Sequence, residues 1–304
     1  MTNALQRLPP GSRVCIIRLR SLGDCVLTTP AIALLKAFRP DLILSVVVQD
    51  RFASVFDHNP AIDAVLPPST LAIARWHPDL SINLHGGSTS SQLTFASRAK
   101  FRAGFEHFRF RALYNITIPR AQKILGVDRK VHTAEHLASA MFYLGVPSRE
   151  VPRASLFAAP AAVSAPYVVI HPKASTSEKT WPAENFLAVA KQLQKEWNLD
   201  TVFIAGPDES LDEFNDFHCL VGADLEQIKT LLSGAALFLG NDSGPAHMAA
   251  AFGLPVIVLF GASDPVIWAP WKTESVVLNS NTIASIPVSD VLNALPTLAI
   301  GQVQ

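Results

Sequence analysis

Cysteine is scarce and unpatterned in this chain. Cys15, Cys25 and Cys219 are the only three, too few and too scattered for a disulfide framework or a zinc site. That usage fits a reducing compartment. Charged residues are thin as well, at 16% of 304 residues against a usual share of about 25%. Apolar residues reach 49%, enough to build sizeable cores and to exclude a disordered chain. No run of about 18 apolar residues is present to span a bilayer. The opening MTNALQRLPPGSR lacks the apolar stretch of a secretory signal, so a cytoplasmic location is expected. No G-x-G-x-x-G follows either first strand, which argues against a dinucleotide-dependent oxidoreductase. The acids Asp24, Asp242 and Asp264 are dispersed, so no metal site and no cofactor are expected.

Net charge is zero, but it is unevenly placed. Residues 1–153 hold 19 Lys/Arg against 10 Asp/Glu, and residues 154–304 hold 6 against 15, giving +9 and −9. Two halves of opposite sign suggest two different partners, the anionic one meeting the first half. Much of the basic excess lies in residues 98–132, where Arg98, Arg102 and Arg109 are interleaved with Phe101, Phe105, Phe108 and Phe110. Basic residues among aromatics are compatible with nucleic acid, but no recognition motif accompanies them, and no nucleic-acid partner is expected. An anionic sugar surface would have this texture, and so would a solvated face whose aromatics enter the core.

The rest of the first half alternates strand and helix. Expected strands are Arg13–Leu19, Leu42–Val48, Ala64–Leu66 and Asp79–Leu84, with helices at Ala31–Phe38, around Arg51–Asp57 and at Ala134–Leu144. Residues 154–166, Ala/Pro-rich and uncharged, read as a linker between domains at 1–153 and 167–304. The second half repeats the rhythm, with strands at Tyr167–His171 and Thr201–Ala205 and helices at about Pro182–Trp197 and Leu225–Ser233. A last strand, Ser275–Leu278, precedes a terminal helix, Val288–Leu298, expected to pack back across the linker on the first domain. This rhythm predicts parallel sheets covered by helices, that is, α/β with two Rossmann-like domains facing across a cleft.

One stretch organises the second half. Leu237–Leu239 is a buried strand, Gly240–Pro245 a sharp turn, Ala246–Phe252 a helix stopped at Gly253, and Pro255–Phe260 a further strand. Asp242 or Ser243 can cap the helix, and Pro245 suits its first turn. The amides of Ser243, Gly244 and Ala246 then point out from the positive end of the helix, a place for a phosphate or pyrophosphate, with His247 beside it.

Three stretches, RLRSLGDCVLTTPA (18–31), HPKASTSEKTWP (171–182) and GNDSGPAHMAAAFGLPVIVLFGASDP (240–265), resemble glycosyltransferase family 9, the heptosyltransferases of lipopolysaccharide core assembly. The resemblance covers nearly the whole chain. It implies the two-domain GT-B fold and transfer of a heptose, with inversion, from ADP-heptose to an anionic glycolipid acceptor. It also implies a monomer with peripheral contact at the cytoplasmic face of the inner membrane. Asp24 matches the family's catalytic base; capping of the next helix is the competing role. Lys179 matches a lysine on the donor diphosphate, and Ser175, Thr176 and Ser177 are candidate phosphate hydroxyls in a segment slightly longer than the family pattern. Glu209 matches the acid that holds the donor ribose. Asp242, Ser243, Gly244 and His247 match the D-S-G-x-x-H signature. Arg20, Ser21, Arg98, Arg102 and Arg109 are candidate acceptor contacts. HCLVGADLEQIK (218–229) departs from the family's Gly-Lys-Thr-Ser-Leu-like stretch beside the base pocket. The competing functions are a sugar-nucleotide epimerase on the same fold and a non-catalytic nucleotide-sugar-binding module.

Overall fold

Short, β-branched apolar runs that cannot expose either face to water become central strands of parallel sheets. The computed structural model, which describes residues 2–159 and 165–300, contains two such sheets of six strands each. The chain divides into two units, Met1–Ser155 and Leu156–Gln304. Residues 160–164 of the expected linker lie outside the described residues. Among the described residues no helix is long and apolar enough to cross a membrane.

The first unit has strands β1 (Arg13–Ile17), β2 (Ile43–Val47), β3 (Ala64–Leu66), β4 (Leu80–Asn83), β5 (Phe101–Phe105) and β6 (Ile116–Ile118). Its helices are α1 (Leu22–Val26), α2 (Thr29–Phe38), α3 (Thr70–Trp76), α4 (Ser88–Ala96), α5 (Ala121–Leu125) and α6 (Thr133–Leu144). The second unit has β7 (Tyr167–His171), β8 (Asp200–Ala205), β9 (His218–Val221), β10 (Leu237–Asn241), β11 (Val256–Phe260) and β12 (Ser275–Asn279). Its helices are α7 (Ala183–Trp197), α8 (Leu225–Ser233), α9 (Gly244–Phe252), α10 (Pro265–Trp268) and α11 (Val288–Ala294).

The first sheet runs β3-β2-β1-β4-β5-β6 and the second β12-β11-β10-β7-β8-β9. Read from the other edge, the second order is the first repeated. In each, the chain starts in the middle, winds to one edge, and returns to build the other. The loops following the two middle strands therefore diverge and leave a crevice at the strands' carboxyl ends, where open α/β sheets bind ligands. That switch point lies between β1 and β4 in one unit and between β7 and β10 in the other.

Each unit buries its own core. Ile73 of α3 and Leu93 of α4 pack on Cys15, Ile17, Leu19 and Val47 in the first. In the second, Phe186, Val189 and Leu193 of α7 meet Phe203, Leu239 and Ile257.

The structure adds elements that the sequence expectations did not name and shortens one that they did. β5 and β6 lie within the basic, aromatic stretch 98–132, and β9 begins the departure segment 218–229. Residues Asp50–Val55 form a 3-10 turn rather than a full helix. α3 arises between two expected strands, capped by the Ser69 hydroxyl on the Ala72 amide. Val291 and Ala294 of α11 enter the second unit's core, where α11 packs on α7.

Candidate functional site

Asp24, Ser175–Ser177, Lys179 and Asp242–His247 follow strands that flank the two switch points. In the second unit the site begins with Asn241, the last residue of β10, fully buried. Its Oδ1 accepts from the Trp181 amide at 3.0 Å and its Nδ2 donates to the Pro172 carbonyl at 3.0 Å. One side chain thus ties together both ends of the loop after β7, the loop that carries Ser175, Thr176, Ser177 and Lys179. Within it Ser177–Lys179 form a 3-10 turn. That turn sits against Gly261: a Cβ there would lie 2.5 Å from the Glu178 carbonyl oxygen and 3.1 Å from Ile283 Cβ.

The turn holds Lys179 where its Nζ is 3.6 Å from Asp242 Oδ2, with the two side chains 30% and 11% exposed. Asp242 opens the turn into α9, whose N-cap is Ser243. Ser243 does not cap with its side chain; its Oγ pairs instead with His171 Nδ1 at 3.1 Å. The start of α9 thus has no side-chain cap, and Lys179 pairs with the residue just ahead of that positive helix end. Burial pushes the His171 pKa down to about 4, partly opposed by Glu209, so this histidine is a neutral hydrogen-bonding strut. His247 is buried within α9, its ring 6.4 Å from that of Trp268. Ser175, Thr176 and Ser177 are exposed. Glu209 turns back on its own loop, Oε2 accepting from the Gly206 amide at 2.7 Å. The 218–229 segment forms β9 and then α8, started by a reciprocal Asp224–Gln227 cap.

In the first unit Asp24 is not the N-cap. Ser21 occupies that position, and Asp24 lies within the first turn of α1, where its carboxylate accepts from Ser21 Oγ at 2.9 Å. Arg18, buried at the end of β1, places Nη1 3.4 Å from Asp24 Oδ1. The sheet's other middle strand contributes Asn83, the last residue of β4 and also fully buried. Its Oδ1 accepts from the amides of His85 and Gly86, and its Nδ2 donates to Ser90 Oγ and the Tyr114 hydroxyl. Burial and then the charges of Arg18 and Arg20 lower the His85 pKa, so His85 belongs to the same electrostatic neighbourhood as Asp24. His136, stacked on Phe105 with centroids 4.3 Å apart, is held to about 4 by burial and by the positive charges of His107 and Arg18. Near Asp24, the buried Arg18 Nε and His85 Nδ1 have no hydrogen-bond partner among the described residues.

Not every expected acceptor contact gathers here. Arg98 and Arg102 line a groove with Thr70, Leu71, Ala74 and Phe95. The Arg102 guanidinium is committed to the carbonyls of Ala99 and Leu113. Arg109 is exposed beside Phe110. Sequence reasoning missed Arg18, Asn83 and Asn241. The two asparagines did leave a signal: each ends an apolar strand just ahead of a Gly-containing turn, in NLHGG and GNDSGP. Among the described residues no group of three or more His, Cys, Asp or Glu could hold a metal ion.

The family model described as glycosyltransferase family 9 (heptosyltransferase) matches residues 72–293. The chain belongs to this family. Among relatives of the family 9 chain, lipopolysaccharide heptosyltransferase 3 of Escherichia coli is 26% identical, with 90% of each chain covered. Among solved structures, the glycosyl transferase family 9 protein of Veillonella parvula superposes with a TM-score of 0.83 at 22% identity, covering 94% of this chain and 96% of that one. E. coli heptosyltransferase WaaC with ADP gives a TM-score of 0.77 at 18% identity, covering 94% and 99%. The two units together thus form the GT-B fold.

Proposed function

We propose that this glycosyltransferase moves a heptose from ADP-heptose to an anionic, lipid-linked core oligosaccharide, with inversion at the anomeric carbon. The observation that carries the reading is the pairing of Lys179 with Asp242 at the uncapped start of α9, at the second unit's switch point. The ADP held by WaaC, a protein of the same fold, supports a nucleotide diphosphate here. In this reading the donor's diphosphate takes Lys179 and the α9 amides as partners, with Ser175–Ser177 at its side and Glu209 at its ribose. As the bond from the anomeric carbon to ADP breaks, Lys179 and the amides meet the charge building on the departing phosphate. The acceptor hydroxyl attacks from the opposite face and gives its proton to Asp24. Arg18 and Ser21, paired with the Asp24 carboxylate at 3.4 and 2.9 Å, hold it in place for that role.

The test is transfer from ADP-heptose by the wild type and by Asp24→Asn, with and without magnesium, alongside ADP titration. Asp24→Asn should lower transfer by about 100- to 10,000-fold, the usual contribution of a general base, and leave ADP affinity unchanged. Normal transfer by that variant overturns the base assignment. Conversion of the donor without any acceptor would instead make the protein an epimerase.

A further inference from the structure

Five large apolar side chains stand exposed among the described residues, and the two most exposed share one groove. Leu71 on α3 is 56% exposed and Phe95 on α4 is 58% exposed. Both line a cavity of about 840 Å³ together with Ala74, Ala96, Arg98 and Arg102. The core does not require them. α3 and α4 meet their obligation to the sheet through Ile73 and Leu93, which are buried, so Leu71 and Phe95 are surplus apolar surface on the outer side of the same helices. An exposed apolar patch of this kind marks an interaction site.

The charges around the groove say what it meets. From residue 64 to residue 105 the chain carries Arg75, Arg98, Lys100 and Arg102 against a single acid, Asp79. The Asp79 carboxylate, itself exposed, accepts from the Arg13 amide at 2.9 Å. Neither α3 nor α4 contains a carboxylate. Arg102 is fixed by the Ala99 and Leu113 carbonyls and its guanidinium lies 6.0 Å from the Phe95 ring, which supports that ring at the surface. Arg98 is held in a left-handed conformation at the end of α4, with φ at 52°. Apolar side chains set among cations and free of carboxylates fit an interface that is negatively charged outside and apolar just beneath.

We propose that the groove between α3 and α4 is a docking surface for an anionic lipid bilayer, with Leu71 and Phe95 entering the headgroup boundary and Arg98 meeting lipid phosphates. This deepens the reading of a lipid-linked acceptor and names the surface that would bring the enzyme to it.

The test is co-sedimentation of the intact chain with vesicles of phosphatidylcholine alone or mixed with phosphatidylglycerol. Wild type should bind the anionic vesicles and lose them at high salt. The paired change Leu71→Ser with Phe95→Ser should lower the partition coefficient by about tenfold or more. Arg98→Glu, a change of two charge units at the surface, should lower it by a similar factor. Neither should alter the thermal unfolding midpoint, since none of these side chains belongs to the core. The Leu71/Phe95 variant should also transfer normally to a soluble, deacylated acceptor. Wild-type indifference to anionic vesicles, or unchanged partition by both variants, overturns the proposal; so does patch-dependent self-association without vesicle binding. Vesicle binding is read without turnover, so it can succeed or fail separately from the transferase reading.

Discussion

Replacing Asn241 tests whether one buried amide holds the loop after β7. Its side chain makes two hydrogen bonds of 3.0 Å to backbone groups at opposite ends of the loop, and it is fully buried. Asn241→Ala removes both. It leaves the Trp181 N–H and the Pro172 carbonyl without their partner, each in a buried residue. A buried polar group left unsatisfied costs about 1–3 kcal/mol, so the pair gives about 2–6 kcal/mol. Because the loop lies at the surface and can relax toward water, the lower half applies, about 3 kcal/mol. Trp181 is itself in the core, its indole donating to the Ile286 carbonyl at 2.9 Å, so tryptophan fluorescence during urea unfolding follows the relevant unit. Freed at both ends, the loop should also present Lys179 less well, raising the ADP dissociation constant by about tenfold, or about 1.4 kcal/mol. Asn241→Asp separates the two bonds. It still accepts from Trp181 but sets a carboxylate oxygen against the Pro172 carbonyl, so its loss of stability relative to wild type should be larger at pH 7 than at pH 5, where protonation restores a donor. A loss below about 0.5 kcal/mol for Asn241→Ala, with unchanged ADP affinity, would refute the reasoning.

Two other predictions concern the same framework. Gly261→Ala should push the Ser177–Lys179 turn away through its clash with the Glu178 carbonyl, weakening ADP binding in calorimetry while costing about 1–3 kcal/mol of stability. Burial holds the folded-state pKa of His136 and His171 at about 4, against an ordinary 6.5. Both are neutral when folded, and the unfolded chain takes up their protons first. Their stabilising share is fully present above about pH 6.5 and is lost as pH falls toward 4, at up to about 1.4 kcal/mol per pH unit for each. Urea midpoints across that range should show the slope, and His136→Phe should flatten it for the first unit alone.

The strands that position the sites were legible because they are buried on both faces and spell unbroken apolar runs, as in VCII and VIVLF. β5 and β6 were not. FRAGF and ITI interrupt their apolar residues with Arg, Gly and Thr, and β5 is flanked by the lysine and arginines that gave the stretch its basic texture. Arg102 shows why charge alone misleads: it counts as a surface cation in the sequence and is bonded to two backbone carbonyls in the fold. Asp24 and Lys179 were legible only through the family resemblance, and Asp242 through the sharp turn that follows an apolar strand. Their supports were not, since Asn83 and Asn241 act on backbone groups remote in sequence, a pairing that spacing does not encode.

The shielding of the thiols makes the molecule its own stability gauge. Burial pushes Cys15 and Cys25 up to about 12 and raises Cys219, half-buried in β9. In the closed protein, Cys15 and Cys25 carry almost no thiolate at neutral pH, so an alkylating reagent reaches them only through opening. Cys25 directly follows Asp24 on α1, and its labelling rate therefore reads how often the first turn of that helix comes undone. Cys15 in β1 reports the central sheet of the same unit, and Cys219 reports an edge strand of the other. One mass-spectrometric time course, with no introduced probe, would rank the opening of these three regions in the native enzyme.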